Sequence, residues 1–228
     1  MENVNISIDT YHEHMCEAIS ALRSGLAYQH EAENREDDDL EGGWLYRNSG
    51  ILCRYAFLLA SNALEAAANA LLIGLEISHS LYEDFEKLPT LLKFEVVCIA
   101  HGKKFDRSNS LYGRMKEIVQ CRNEFVHPKP RKTTIEPTLD GLDTEIKVKK
   151  TKTMGYPTSF SLFEVKHALD AIGDILRFVA WVTFDILELN IKDGSMCLGY
   201  DSMMSTGDVI LLAEEYGFDA RTFGEEKR

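Results

Sequence analysis

Three side chains in the stretch CRNEFVHPKP, residues 121–130, could do chemistry together: Arg122, Asn123 and His127. A guanidinium keeps its charge in any protein, so it needs a carboxylate, a phosphate or a route to water. An imidazole takes up and releases protons near neutral pH, as a general acid or base must. Asn123 and His127 are four apart and share one helix face, where the amide could orient the imidazole. Arg122 and His127 are five apart and diverge by about 140° around an ideal helix. Within one chain they therefore flank a groove. Two copies of the helix across a two-fold axis could bring both pairs over one cleft.

Local signals place this motif at a helix end. Leu111, Met115, Ile118, Arg122 and Phe125 follow the rhythm of an interface stripe, with Arg122 where an apolar residue is expected. Pro128 pushes the preceding residue out of the α region, so His127 closes the helix or caps it. The helix starts after Asp106–Ser110, which supply capping side chains. Two blander roles stay open: Arg122 as an ion-pair partner of Glu65, and His127 as a plain cap.

Downstream, residues 128–160 change character. Four of the five prolines, the Asp140-Gly141 turn signal and the alternation in TEIKVKK read as a loop carrying a β-hairpin. Residues 129–152 hold seven basic side chains (Lys129, Arg131, Lys132, Lys147, Lys149, Lys150, Lys152) against four acidic ones (Glu136, Asp140, Asp143, Glu145). That excess could hold phosphates, or belong to a solvated loop.

The elements that position the motif read as helices throughout. A first helix spans Asp9 to Ala32, where Met15, Ile19, Leu22 and Leu26 repeat at helical spacing. The acidic loop EAENREDDDLEGG follows. A second helix, Tyr46 to Ser78, is alanine-rich and carries a polar seam of Asn62, Glu65 and Asn69, extended backward by Ser61 and Arg54. Buried polar groups need partners, so the seam faces another chain, water or a site. A third helix runs from Pro89 to Gly102. A fifth opens with a capping box, Ser161 to Glu164, and runs to about Glu188, its second half buried. A short helix, Asp208 to Tyr216, is expected in the tail.

Composition bounds the rest. The chain has 228 residues, 45% of them hydrophobic, and suits one domain, 1–228, with a sizeable core. Five scattered cysteines without C-x-x-C spacing read as reduced thiols of a cytoplasmic protein, with no zinc site. The N-terminus has no signal-peptide pattern, and the apolar run Ile175–Leu187 is too short to span a bilayer. A net charge of -12 argues against a general nucleic-acid coat protein but leaves room for a local basic patch. His12 and His14 point to different helix faces, and no metal or cofactor site is expected.

The RNEFVH motif, together with the NALEAAANALL stretch of the second helix, resembles the HEPN superfamily, all-helical proteins common in toxin–antitoxin and anti-phage systems. The likeness covers about residues 46–188. Many members place a tyrosine two residues after the motif histidine, where this chain has Lys129. The resemblance implies an all-α, HEPN-like bundle of about five helices with the hairpin as an insertion. It implies a metal-independent RNA endonuclease, working as a homodimer, without cofactor, and held in check by an antitoxin or regulatory protein. His127 would deprotonate the ribose 2′-OH, Arg122 would neutralise charge on the phosphoryl oxygens, and Asn123 would orient the histidine or contact the phosphate. Glu65, Asn69 and Asn62 would support the motif, and Lys129, Arg131 and Lys132 would touch substrate. Products would carry 2′,3′-cyclic phosphate and 5′-hydroxyl ends. The alternative is an inactive HEPN-like module that binds a protein or nucleotide.

Overall fold

The computed structural model describes residues 10–35, 40–75, 77–127, 134–137, 144–147 and 149–190; of 134–137 and 144–147 it describes the backbone alone. The fold is all-α. In order come α1 (Thr10–Glu33), α2 (Leu40–Ile73), α3 (His79–Glu86), α4 (Thr90–Ala100) and α5 (Ser110–Val126). Strands β1 (Thr134–Pro137) and β2 (Thr144–Lys147) follow, then α6 (Val165–Ala180).

Helix α2 is the axle of the bundle and packs against α1, α3, α4, α5 and α6. Its alanines Ala56, Ala60, Ala63, Ala67 and Ala68 are buried and let neighbouring backbones come close. Gly25 of α1 marks the tightest approach: a Cβ there would lie 2.7 Å from Cys53 Sγ and 3.2 Å from the Ser49 carbonyl oxygen. Any side chain at residue 25 would push α1 off α2. By length and composition α2 could cross a membrane, yet 61% of its most apolar stretch is buried inside this fold. It is the core helix.

Strands β1 and β2 pair antiparallel, Thr134 with Lys147 through Pro137 with Thr144, as the alternation predicts. The chain then returns to α5. Glu117 accepts hydrogen bonds from the backbone of Thr153 (2.7 Å) and Met154 (2.8 Å), and Cys121 Sγ lies 3.6 Å from the Pro157 carbonyl oxygen. Residues 149–158 are thereby fixed along the helix that carries the motif. The Asp140-Gly141 signal and the tail helix expected at Asp208–Tyr216 fall outside the described residues.

Four details differ from expectation. The described residues hold six α-helices, in keeping with a bundle of about five, but α2 ends at Ile73, short of Ser78, and α3 forms separately. Helix α2 also starts at Leu40, taking in the two glycines assigned to the acidic loop. Gly42 is buried in its first turn, and Glu41 pairs with Arg35 at 2.6 Å.

The capping box of α6 is Glu164 with His167, not Ser161 with Glu164. The Glu164 backbone donates to His167 Nδ1 at 2.9 Å, and the Glu164 side chain accepts from the His167 backbone. Phe163 explains the shift. Its extended backbone drives the ring into the core, 1% exposed, so helix cannot begin before it. Finally, the last turn, Trp181–Ile186, is π-helical rather than α, and Glu188 in a left-handed conformation (φ 55°) ends it.

Candidate functional site

Helix α5 starts where Asn109 Oδ1 accepts from the Leu111 backbone at 2.8 Å. It ends at His127, the C-cap, whose φ of -123° and ψ of 64° leave the α region as a residue before proline should. The His127 backbone still donates to the Asn123 carbonyl at 2.9 Å, and its ring stands in solvent.

The buried stripe of α5 runs through Leu111, Met115, Ile118 and Cys121. Arg122 is therefore not in the apolar seam, as the spacing suggested, but on its shoulder, with a side chain 29% exposed. From Ile118 a helix can continue its stripe through either the third or the fourth residue onward. The returning segment, whose Pro157 carbonyl oxygen lies 3.6 Å from Cys121 Sγ, covers Cys121.

The cysteine behaves as a packed thiol. Burial pushes the Cys121 pKa up to about 12, with the Glu124 charge a further cause, so it stays protonated and a poor nucleophile.

At the shoulder, Arg122 meets two groups. Its Nη1 donates to Asn123 Oδ1 at 3.2 Å, and its Nη2 lies 3.8 Å from Glu65 Oε2 on α2. The amide thus turns to the guanidinium and not to His127. Among the described residues the His127 ring makes no hydrogen bond.

Glu65 serves a second cation that the sequence pattern did not single out. Lys93 of α4 is 1% exposed; its Nζ donates to Asn69 Oδ1 at 2.8 Å and reaches Glu65 Oε1 at 3.4 Å. The polar seam of α2 faces these two cations, Lys93 and Arg122. The signal lay in TLLKFEVV: Lys93 is four residues before the buried Val97 and so shares its face.

Other members of the seam separate. Asn62 is half-buried and makes no hydrogen bond among the described residues. Ser61 spends its hydroxyl on the Phe57 carbonyl of its own helix at 2.8 Å. Lys129, Arg131 and Lys132 lie outside the described residues; Lys149, Lys150 and Lys152 are exposed beside the segment held on α5.

An aromatic cluster holds the C-terminal half of α5 against α2 and the start of α6. Phe125 packs edge-on to Phe57 (5.4 Å between centroids), Phe163 (5.2 Å) and Phe160 (4.9 Å). Lower on α5, Arg114 Nη1 donates to Asp174 Oδ1 at 3.0 Å, and Arg177 shares the same oxygen. With Asp174 1% exposed, the Arg114 bond ties α5 to α6, while Arg177, one turn along α6, helps to neutralise the buried carboxylate.

The arrangement presents a guanidinium held by an amide and a carboxylate, and, at the same helix end, a free solvent-facing imidazole. Chemically that is an anion contact beside a proton carrier. No family model, no curated protein and no solved structure matches this chain.

Proposed function

We propose that this chain is a HEPN-like, metal-independent endoribonuclease that acts in the cytoplasm as a homodimer. One observation carries the reading. Arg122 is oriented from its own helix by Asn123 and from α2 by Glu65, while His127 at the helix cap has a free, exposed ring. An anchored cation and an unengaged imidazole at one helix end suit a phosphodiester with a nucleophile close by.

In this reaction His127 takes the proton of a ribose 2′-OH, and the oxygen attacks the adjacent phosphorus. Arg122 offsets the charge that builds on the phosphoryl oxygens. The bond to the 5′ oxygen breaks and that oxygen gains a proton, leaving a 2′,3′-cyclic phosphate and a 5′-hydroxyl. DNA lacks the 2′-OH and resists. Because Arg122 and His127 diverge around α5, the second copy supplies the complementary pair across a two-fold axis. Glu65, Asn69 and Lys93 keep Arg122 in place, Lys129, Arg131 and Lys132 contact the strand, and an antitoxin or regulatory protein restrains the enzyme.

The test is cleavage of total RNA in EDTA, with His127→Ala alongside and the oligomeric state measured by size exclusion. Loss of the proton carrier should slow cleavage by about 10²–10⁴-fold. Equal activity of the two proteins, or a strict monomer that still cuts, would overturn the reading. A second reading, a binding module without catalysis, draws on the pairing of Arg122 with Glu65, which already satisfies the guanidinium. A dimer that leaves RNA intact would select it.

A further inference from the structure

A groove of about 690 Å³ opens between the first half of α2 and the start of α6, lined by Tyr46, Arg47, Gly50, Arg54, Glu164 and Lys166 among others. Its charges are unevenly matched. Glu164, its single carboxylate, is engaged by Lys166 Nζ at 2.8 Å and by the first turn of α6. Arg47 and Arg54 have no carboxylate among the described residues.

Arg54 is the more constrained of the two. Its guanidinium carbon stands 5.1 Å from the centre of the Phe160 ring, and its Nε is buried with no hydrogen-bond partner among the described residues. Burial lowers its pKa from the ordinary value, yet a guanidinium remains charged. On its other side lies Gly50, one turn earlier. A Cβ at Gly50 would sit 3.1 Å from Arg54 Nη1 and 3.7 Å from its Cζ. A glycine inside a helix costs about 0.5–1 kcal/mol relative to alanine. Here the missing Cβ leaves room for the guanidinium to lie flat between helix and ring.

The groove adjoins the candidate site. Phe160, which carries Arg54, packs on Phe125, which lies three residues from Arg122 and two from His127.

We propose that this groove binds the phosphates of a nucleotide chain, with the Arg47 and Arg54 guanidinium groups as the contacts. Naming the ligand as RNA rests on the ribonuclease reading; the phosphate chemistry does not. A half-buried guanidinium without an anion is an unmatched charge, and phosphate takes guanidinium in a two-pronged geometry that no neutral ligand equals. Tyr46 at the rim, 51% exposed, offers a ring on which a base can stack.

The experiment measures binding of a fluorescent single-stranded RNA oligonucleotide by anisotropy, over a range of salt, in a His127→Ala chain that leaves the RNA uncut. Adding Arg47→Gln and Arg54→Gln should weaken binding about tenfold. The slope of log affinity against log salt should flatten by about 1.4, roughly 0.7 for each single-strand phosphate that is no longer neutralised. Unchanged affinity and slope would overturn the proposal. Circular dichroism checks folding; if Arg54→Gln unfolds the chain, Arg47→Glu at the exposed rim carries the test, with loss of binding expected and no change refuting it. Titration with a nucleoside monophosphate separates the two readings. Should the unaltered chain neither cut nor bind RNA yet bind the mononucleotide, and lose it on Arg47→Gln/Arg54→Gln, the ribonuclease reading falls and the groove stands. Binding of neither probe overturns the groove.

Discussion

Glu65→Gln is the substitution most diagnostic of the site's construction. Lys93 is 1% exposed, and its ammonium has two acceptors among the described residues, Asn69 Oδ1 at 2.8 Å and Glu65 Oε1 at 3.4 Å. Glutamine keeps the shape and an acceptor oxygen but removes the one negative charge. Stripping a buried ion of its counterion costs about 3–5 kcal/mol when nothing replaces it. Glu65 is 40% exposed, so water screens part of the attraction, and the amide oxygen still accepts. The expected loss is about 2 kcal/mol, or a fall in Tm of roughly 4–8 °C for a domain this size. Urea unfolding with an unchanged slope would report it as stability alone. Adding Lys93→Met should bring the chain back to within about 1 kcal/mol of wild type, since an apolar replacement removes the stranded charge. A loss below about 0.5 kcal/mol for Glu65→Gln would mean that Lys93 does not depend on this carboxylate.

Asp170 gives a pH test. Burial first, and the Asp174 charge second, raise its pKa from 3.8 to about 6. The folded state thus holds this proton more tightly than the unfolded state, and its stabilising effect, complete below pH 3.8, is lost as pH rises through 6. Asp170→Asn should therefore gain about 1–2 kcal/mol at pH 7.5, two pK units discounted for partial exposure, and nothing at pH 4. His167, lowered to about 4 by burial, acts oppositely over the same window, so the Asp170→Asn chain should lose stability more steeply below pH 6.5. Urea midpoints at several pH values would read both effects, and a pH-independent difference would refute them. Gly50→Ala should raise stability by about 0.5–1 kcal/mol through helix propensity while weakening RNA binding, because the new methyl displaces the Arg54 guanidinium. Thermal melts and anisotropy on one sample check this, and stabilisation with unaltered binding would refute the role given to Gly50.

What could be read in the sequence was what local chemistry decides. Asn109, Pro89 and Pro128 mark helix ends through caps and forbidden backbone regions, and those ends lie within a residue or two of expectation. The break between α2 and α3, the widened turn at 181–186 and the true cap at Glu164 depend on packing. Phe163 decides the last of these by entering the Phe57–Phe125 cluster, which no window of neighbouring residues reveals. The same division runs through the site. Arg122 and His127 announced themselves by spacing, but whether Arg122 or its neighbour Cys121 would be buried depended on where residues 149–158 return along α5. Lys93 stayed hidden because a single lysine in an apolar helix reads as a solvent-facing residue. Its meaning appears only with Asn69 and Glu65 opposite.

These placements also bear on why a chain of net charge -12 could hold a polyanion. One carboxylate, Glu65, answers two cations, Lys93 and Arg122, and another, Glu164, answers Lys166, so the local balance stays positive before Arg47 and Arg54 are added. Lys149, Lys150 and Lys152 stand in solvent on the segment that Glu117 fixes to α5. At physiological ionic strength exposed charges are felt over about 8 Å. A phosphate in the groove would sense the two guanidinium groups beside it far more than carboxylates elsewhere on the surface. Part of the acidity is elsewhere: Glu83, Asp84 and Glu86 cluster on α3. Binding governed by net charge would strengthen as salt rises, whereas binding governed by these cations would weaken. The sign of that dependence follows from which charges lie within a screening length of the groove.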